Sequence, residues 1–235
     1  MGAIYKRELS SYFTTPIGYI FLAVFFAVTG FVFSFTTILQ AESSSVAAYF
    51  MMMIFVLAIM LPILTMKLFS DDRRMKTEQL LLTTPVGLTS MVMAKYLAAL
   101  TIYGGALGVS GLYFLVLGSF GTPPTAVIFG NLLALLFLGA AFIAIGAFMS
   151  SLTESQLIAA ISTMLVIVLI VLVSFIADSI PSEFIRTILK WFSVFNRISN
   201  FSAGVIHLGS LIYFASFAFM FLFLTVRVYE KRRWS

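Results

Sequence analysis

Two groups of residues carry side chains of the kind that does chemistry. Gly108-Val109-Ser110-Gly111 fits a G-x-S-G pattern, and His207 is the chain's only histidine. A serine within hydrogen-bond reach of that histidine would be an activated nucleophile for hydrolysis. The pattern is short and sits among other glycines, and no glycine pattern surrounds His207. An intramembrane serine protease using Ser110 and His207 is therefore the alternative reading, beside a packed serine and an interfacial histidine. The second group is Ser70, Asp71, Asp72, Arg73, Arg74, Lys76, Thr77, Glu78 and Gln79, a dense run in a chain where 10% of residues are charged. Those types suit recognition rather than bond-making. Lys76-Thr77 is the one Lys followed by Ser or Thr, and no glycine loop precedes it, so the chain holds no phosphate-binding loop of its own. Cysteine is absent, which removes thiolate metal sites, disulfides and thiol nucleophiles.

The elements that must carry these groups are set by composition. Of 235 residues, 61% are hydrophobic, and the mean hydropathy is +1.10. A soluble domain has about 45–50% apolar and about 25% charged residues. Lipid is the expected solvent, and an all-α integral membrane protein with a single domain over 1–235 is the expected fold. A span needs about 20 apolar residues. Six such runs lie near 17–39, 46–67, 96–118, 125–149, 157–177 and 207–226. They are continuous rather than alternating, which selects helices over a lipid-facing barrel. The N-terminus does not read as a cleaved signal peptide, because its basic part is short and the following apolar run is long enough to span.

Loop charge predicts the orientation. Lys6, Arg7, Lys67, Arg73, Arg74, Lys76, Lys95, Arg227, Lys231, Arg232 and Arg233 fall on one side, and Arg186, Lys190 and Arg197 on the other. Both termini are therefore expected in the cytoplasm, with a cytoplasmic loop over 68–95 and an extracytoplasmic loop over 178–206. The net charge of +5 belongs to span ends, not to a nucleic-acid surface. Residues 1–15 read as an interfacial elbow helix, with Ile4, Tyr5, Leu9, Tyr12 and Phe13 on its apolar face and Pro16 starting the first span. Phe184, Ile185, Ile188, Leu189 and Phe192 suggest a second interfacial helix on the outer side.

All Asp, Glu, Lys and Arg are expected in loops or near span ends, so nothing in the spans points to coupling with a proton or sodium gradient. Gly104 and Gly108 form a G-x-x-x-G pair, and Gly139, Ala140, Ala144 and Gly146 cluster in the fourth span, which suits close helix packing. Pro62 should kink the second span, as local packing or as a hinge. Ser70 is expected as the N-cap of a cytoplasmic helix, with Asp71 and Asp72 in its first turn. That helix would run to an apolar patch at Leu80 to Leu82 and close at Pro85 and Gly87.

Arg73 to Val86, RRMKTEQLLLTTPV, resembles the signature of ABC-2 type permeases: a basic, Thr-Glu-containing helix, then Leu-Leu-x-x-Pro, then a Lys at the third span, here Lys95. Tyr5 to Phe21, YKRELSSYFTTPIGYIF, and Phe201 to Phe214, FSAGVIHLGSLIYF, are similar to the gliding-motility-type branch. Where the family often has Gly-Thr-Leu-Glu, this chain has Lys76-Thr77-Glu78-Gln79, with the acid one residue earlier. The resemblance implies a half-transporter in a bacterial cytoplasmic membrane, working as an exporter or a mechanotransmitting complex. It would pair with a second permease copy or a related half and rest on a cytoplasmic ABC ATPase subunit. ATP and Mg would bind that partner, with no cofactor on this chain. Ser70 to Leu82 would be the coupling helix, Thr84 and Pro85 its closing turn, and Thr153 and Glu154 a second contact. An auxiliary protein with a large extracytoplasmic domain would accompany the pair. A non-transporting membrane assembly subunit shares this topology.

Overall fold

A computed structural model describes residues 2–38, 46–76, 87–118, 125–176, 193–194, 197–198, 201 and 207–233. Thr77, Glu78, Gln79, Leu82, Thr84 and Pro85, and the outer interfacial helix expected around Phe184 to Phe192, lie outside the described residues. Within them every regular element is helical: α1 (Gly2–Thr14), α2 (Pro16–Phe33) with a π turn (Ser34–Ile38), α3 (Ala47–Thr65), α4 (Lys67–Arg74), α5 (Leu88–Ser110), α6 (Tyr113–Gly118), α7 (Thr125–Leu152), α8 (Gln156–Ile176) and α9 (Leu208–Arg233). Six helical stretches are long and apolar enough to cross a membrane. In lipid a spanning backbone must satisfy its own N–H and C=O groups, which a helix does within one segment.

The corner between α1 and α2 is fixed by local chemistry. Pro16 occupies the start of α2, where its missing N–H costs nothing. Thr15 turns its hydroxyl back to the Ser11 carbonyl at 2.7 Å. A Cβ on Gly18 would overlap the Tyr12 carbonyl, so glycine lets the two helices fold back closely.

α7 is the hub and packs on α3, α4, α5, α8 and α9. Its small residues let neighbours approach, and the close approaches fall at two glycines. A side chain at Gly139 would collide with the Tyr103 ring of α5, and one at Gly146 with the Thr65 side chain of α3. Tyr103 then donates to the Leu135 carbonyl at 2.7 Å, and Thr65 bonds back to Leu61 at 3.0 Å. The G-x-x-x-G pair is looser. Gly104 would meet Leu136 at 3.5 Å, an ordinary contact, and Gly108 would meet nothing within 4 Å.

Pro62 sits buried inside α3. The helix continues to Thr65 and breaks at Met66, where α4 takes over. The third span bends at Gly111, whose N–H reaches both Leu107 (3.1 Å) and Gly108 (3.1 Å). The short α6 beyond it delivers Phe114 into an aromatic cluster with Phe33, Tyr49 and Phe50, at ring separations of 5.5, 5.4 and 5.4 Å. This cluster ties α2, α3 and α6 together. Offset and edge-on ring pairs of this kind each add about 0.5–1.5 kcal/mol beyond area burial.

Gly146→Val and Gly139→Leu are expected to destabilise the bundle by about 1–3 kcal/mol or more each, through overpacking. Gly108→Ala is expected to be neutral or stabilising, because alanine is the better helix former by about 1 kcal/mol. Thermal unfolding midpoints of the detergent-solubilised variants check the contrast. Equal midpoints for all three would refute the packing account.

Candidate functional site

Helix α4 begins at Lys67, three residues before Ser70, because the second span passes into it through a single-residue break at Met66. Ser70 is therefore buried in mid-helix, with its hydroxyl bonded to the Met66 carbonyl, and it is not the N-cap expected from the sequence. The N-cap position belongs to Met66, which offers no side-chain acceptor. The orphan N–H groups of the first turn are met from another helix. Ser150 Oγ of α7 accepts from the backbone N–H of Phe69 (3.0 Å) and Ser70 (3.1 Å) and donates to the Met66 carbonyl (3.0 Å). One hydroxyl thus caps α4 in trans. Asp71 and Asp72 fall beyond the first turn, so tertiary partners rather than the helix dipole hold them.

Those partners form a buried charge cluster. α5 starts at Leu88, eight residues before the expected span, because the run from Leu88 to Ala94 is itself helical. Lys95 is therefore carried inside the helix and is 2% exposed, which corrects the expectation that every charge lies in loops or at span ends. Its ammonium has three donors and three acceptors: Asp72 Oδ2 at 2.8 Å, the Leu68 carbonyl at 2.8 Å and Glu8 Oε1 at 3.2 Å. The Phe69 ring lies 5.4 Å from the nitrogen. Glu8 also receives Arg7 at 2.7 Å, and this carboxylate raises the Arg7 pKa. Nearby, Lys67 donates to Thr15 Oγ1 at 3.0 Å and stands 4.3 Å over the Tyr12 ring. Tyr12 donates to the Leu64 carbonyl at 3.1 Å. Burial pushes its phenol pKa up, so it stays a neutral donor. The cavity among these groups measures about 330 Å³.

A second clasp joins α4 to the turn between α7 and α8. Arg73 donates to the Leu152 carbonyl at 3.0 Å and pairs with Glu154 at 2.9 Å. Asp71 accepts from Gln156, the first residue of α8. From α9, Arg232 donates to the Ser151 carbonyl at 2.6 Å. The last carbonyls of α7 are thus capped by two guanidinium groups, which also suits the negative end of the helix dipole. Thr153 accepts from the Ser155 N–H at 3.2 Å within the turn. So α1, α4, the start of α5, the α7–α8 turn and the end of α9 converge at one end of the bundle.

Of the expected contact residues, Asp71, Asp72, Arg73 and Glu154 are drawn into these intramolecular clasps, while Arg74 and Lys76 are exposed. α4 ends beneath them in a turn where Lys76 takes φ 55°, a left-handed conformation that stops the helix. Glu8, Gln156 and Arg232 are members that the sequence reading did not mark, and it gave Lys95 only as the lysine opening the third span. A lysine amid the apolar residues from Met91 to Leu100 was the one available signal.

Ser110 and His207 are not joined. Ser110 is buried and donates to the Leu107 carbonyl of its own helix at 2.7 Å, and His207 is exposed. Among the described residues, no group of three or more His, Cys, Asp or Glu could hold a metal ion.

Removing Lys95 takes the buried ammonium away from Asp72 and Glu8 and leaves the Leu68 carbonyl without its donor. Lys95→Met is expected to cost about 3–5 kcal/mol, the usual effect of breaking a buried ion pair. Adding Glu8→Gln and Asp72→Asn should recover part of it. Ser150→Ala should cost about 1 kcal/mol, a lost cap. Chemical denaturation in mixed micelles reads all three, and a Lys95→Met midpoint equal to wild type would refute the cluster's role.

No protein-family model matches the chain, and no curated protein matches it in sequence.

Proposed function

We propose that the chain is the membrane-spanning subunit of an ATP-driven transporter of the ABC-2 type, taking force from a separate ATPase at α4. The observation that carries this reading is mechanical. α4 continues directly from the second span and is bound on its other sides to α1 and α5 through Lys95, and to α7 and α8 through Ser150, Arg73 and Asp71. A push delivered at the exposed Arg74–Lys76 end would reach five helices through short polar contacts, those of Lys95 and Ser150 buried and that of Arg73 to Glu154 at the surface. The residue pattern from Arg73 to Val86 and the six apolar helices support the same reading.

On it, the charged end of the bundle faces the cytoplasm of a bacterium. The lateral partner is a second copy or a related half, and ATP and Mg sit on the ATPase. Arg74, Lys76 and Glu78 take the docking role, because Asp71, Asp72 and Arg73 are occupied within the chain. Thr153 and Glu154 act through Arg73, as part of the clasp.

Two measurements test this. The chain has no native cysteine, so Lys76→Cys and Lys190→Cys each create a unique thiol. A membrane-impermeant maleimide applied to intact cells should label position 190, and position 76 only after permeabilisation. The reverse pattern would overturn the orientation. The full chain purified from its native membrane should carry vanadate-sensitive ATP hydrolysis, and Arg74→Ala/Lys76→Ala/Glu78→Ala should lower it at least tenfold without loss of membrane insertion. Undiminished hydrolysis in that variant, or none in wild type, would favour an assembly subunit without transport.

A further inference from the structure

The groove between α5 and α9 has a polar mouth and an apolar shaft. The mouth, a recess of about 590 Å³, is lined at its base by Leu88 and Thr89 of α5 and otherwise by Arg227, Glu230, Lys231 and Arg233 of α9. Three bases face one acid, and that acid is tied to Arg227 at 2.6 Å. The α5 helix starts beside it, with Gly87 as an N-cap that supplies no side-chain cap. A helix start of this kind adds partial positive charge.

The shaft, about 420 Å³, is lined by Met93, Tyr96 and Leu100 of α5 and by Ala218, Phe219 and Leu222 of α9, with α7 set back as its floor. Ala140 and Ala218 give it depth, and Tyr96 donates to the Ala140 carbonyl at 3.2 Å, so the floor exposes no unpaired phenol. Thr89, Met93, Tyr96 and Leu100 follow one stripe of α5 at three- and four-residue spacing. Arg233, Glu230, Leu222 and Phe219 follow one stripe of α9 in the opposite direction. Both recesses lie along this helix pair, the mouth toward Thr89 and Arg233 and the shaft toward Leu100 and Phe219, with the buried Val226 of α9 between them. From Thr89 to Leu100 the rise is about 17 Å at 1.5 Å per residue, close to half of a hydrocarbon core about 30 Å thick. The groove is therefore one leaflet deep.

We propose that this groove is a binding site for one anionic phospholipid. Its phosphate sits at Arg227, Lys231, Arg233 and the start of α5, and an acyl chain lies in the shaft. Basic recesses between membrane helices select anionic headgroups in this way. An acidic protein segment would match the mouth but leave the shaft empty, and a zwitterionic lipid would fill the shaft without using the excess positive charge. The site stands apart from α4 and does not depend on the transporter reading.

The test is native mass spectrometry of the full chain in detergent, with equimolar dioleoyl-phosphatidylglycerol and dioleoyl-phosphatidylethanolamine. The readout is the ratio of the two adducts within one preparation, so a variant that merely folds poorly loses both. Wild type is expected to retain the glycerol lipid at least tenfold over the ethanolamine lipid. Arg227→Gln/Lys231→Gln/Arg233→Gln should bring the ratio to about one, while Lys6→Gln, at an exposed base elsewhere on the same end, should leave it unchanged. Ala218→Leu, which fills the shaft, should lower retention of the glycerol lipid several-fold. Equal retention of both lipids by wild type would overturn the proposal, as would an unchanged ratio in the triple variant or an equal fall with Lys6→Gln. Undiminished retention with Ala218→Leu would leave the mouth to an acidic protein partner and overturn the lipid assignment.

Discussion

The Lys95 ammonium is the constraint on which the charged end of this protein depends. A lysine carried into a helix bundle must be paired on all its donors or give up its charge. Here the three acceptors come from α1 and α4 while the donor comes from α5. The desolvation cost of one side chain therefore fixes three helices in one arrangement. Any movement that separates α4 from α5 must open the cluster or carry its members together. Such a contact moves as a unit or breaks.

Around that centre, helix ends are closed by side chains from other helices. Ser150 serves the first N–H groups of α4, and Arg73 and Arg232 serve the last carbonyls of α7. Unpaired backbone groups are costly where water is scarce, so each cap is also a tertiary bond. These caps and the Lys95 cluster lie at one end, while elsewhere single hydrogen bonds such as Tyr103 to the Leu135 carbonyl join helices. Through the rest of the bundle, α7 packs by contact of small residues with large ones, Gly139 under Tyr103 and Gly146 under Thr65. Lipid tails are as apolar as the helices, so association there rests on fit rather than on water release.

The structure places its basic residues in different environments. Arg73, Arg232 and Lys95 are consumed inside the chain. Arg74 and Lys76 face outward at the end of α4, and Arg227, Lys231 and Arg233 gather at the mouth of a groove one leaflet deep. A count of positive charges on one side treats these as equivalent. Their burial and partners separate them into bases held within the chain and exposed bases, to which the proposals above give docking and lipid-binding roles.

The sequence by itself determined the helical class, the six apolar stretches, the elbow before Pro16 and the interest of the run from Ser70 onward. These follow from periodicity, run length and local residue preference, which act over a few neighbouring positions. It placed Ser70 at a helix start and Lys95 at a span edge. Both assignments failed for one reason: helix boundaries here are set by partners far along the chain. Ser150 lies 80 residues from the N–H of Ser70, and Asp72 and Glu8 reach Lys95 from two separate helices. No local pattern encodes such pairings. Likewise, residue spacing marked both Gly104–Gly108 and the small residues from Gly139 to Gly146 for close packing; the structure uses the second set and not the first, because only the tertiary arrangement decides which face of a helix meets a neighbour.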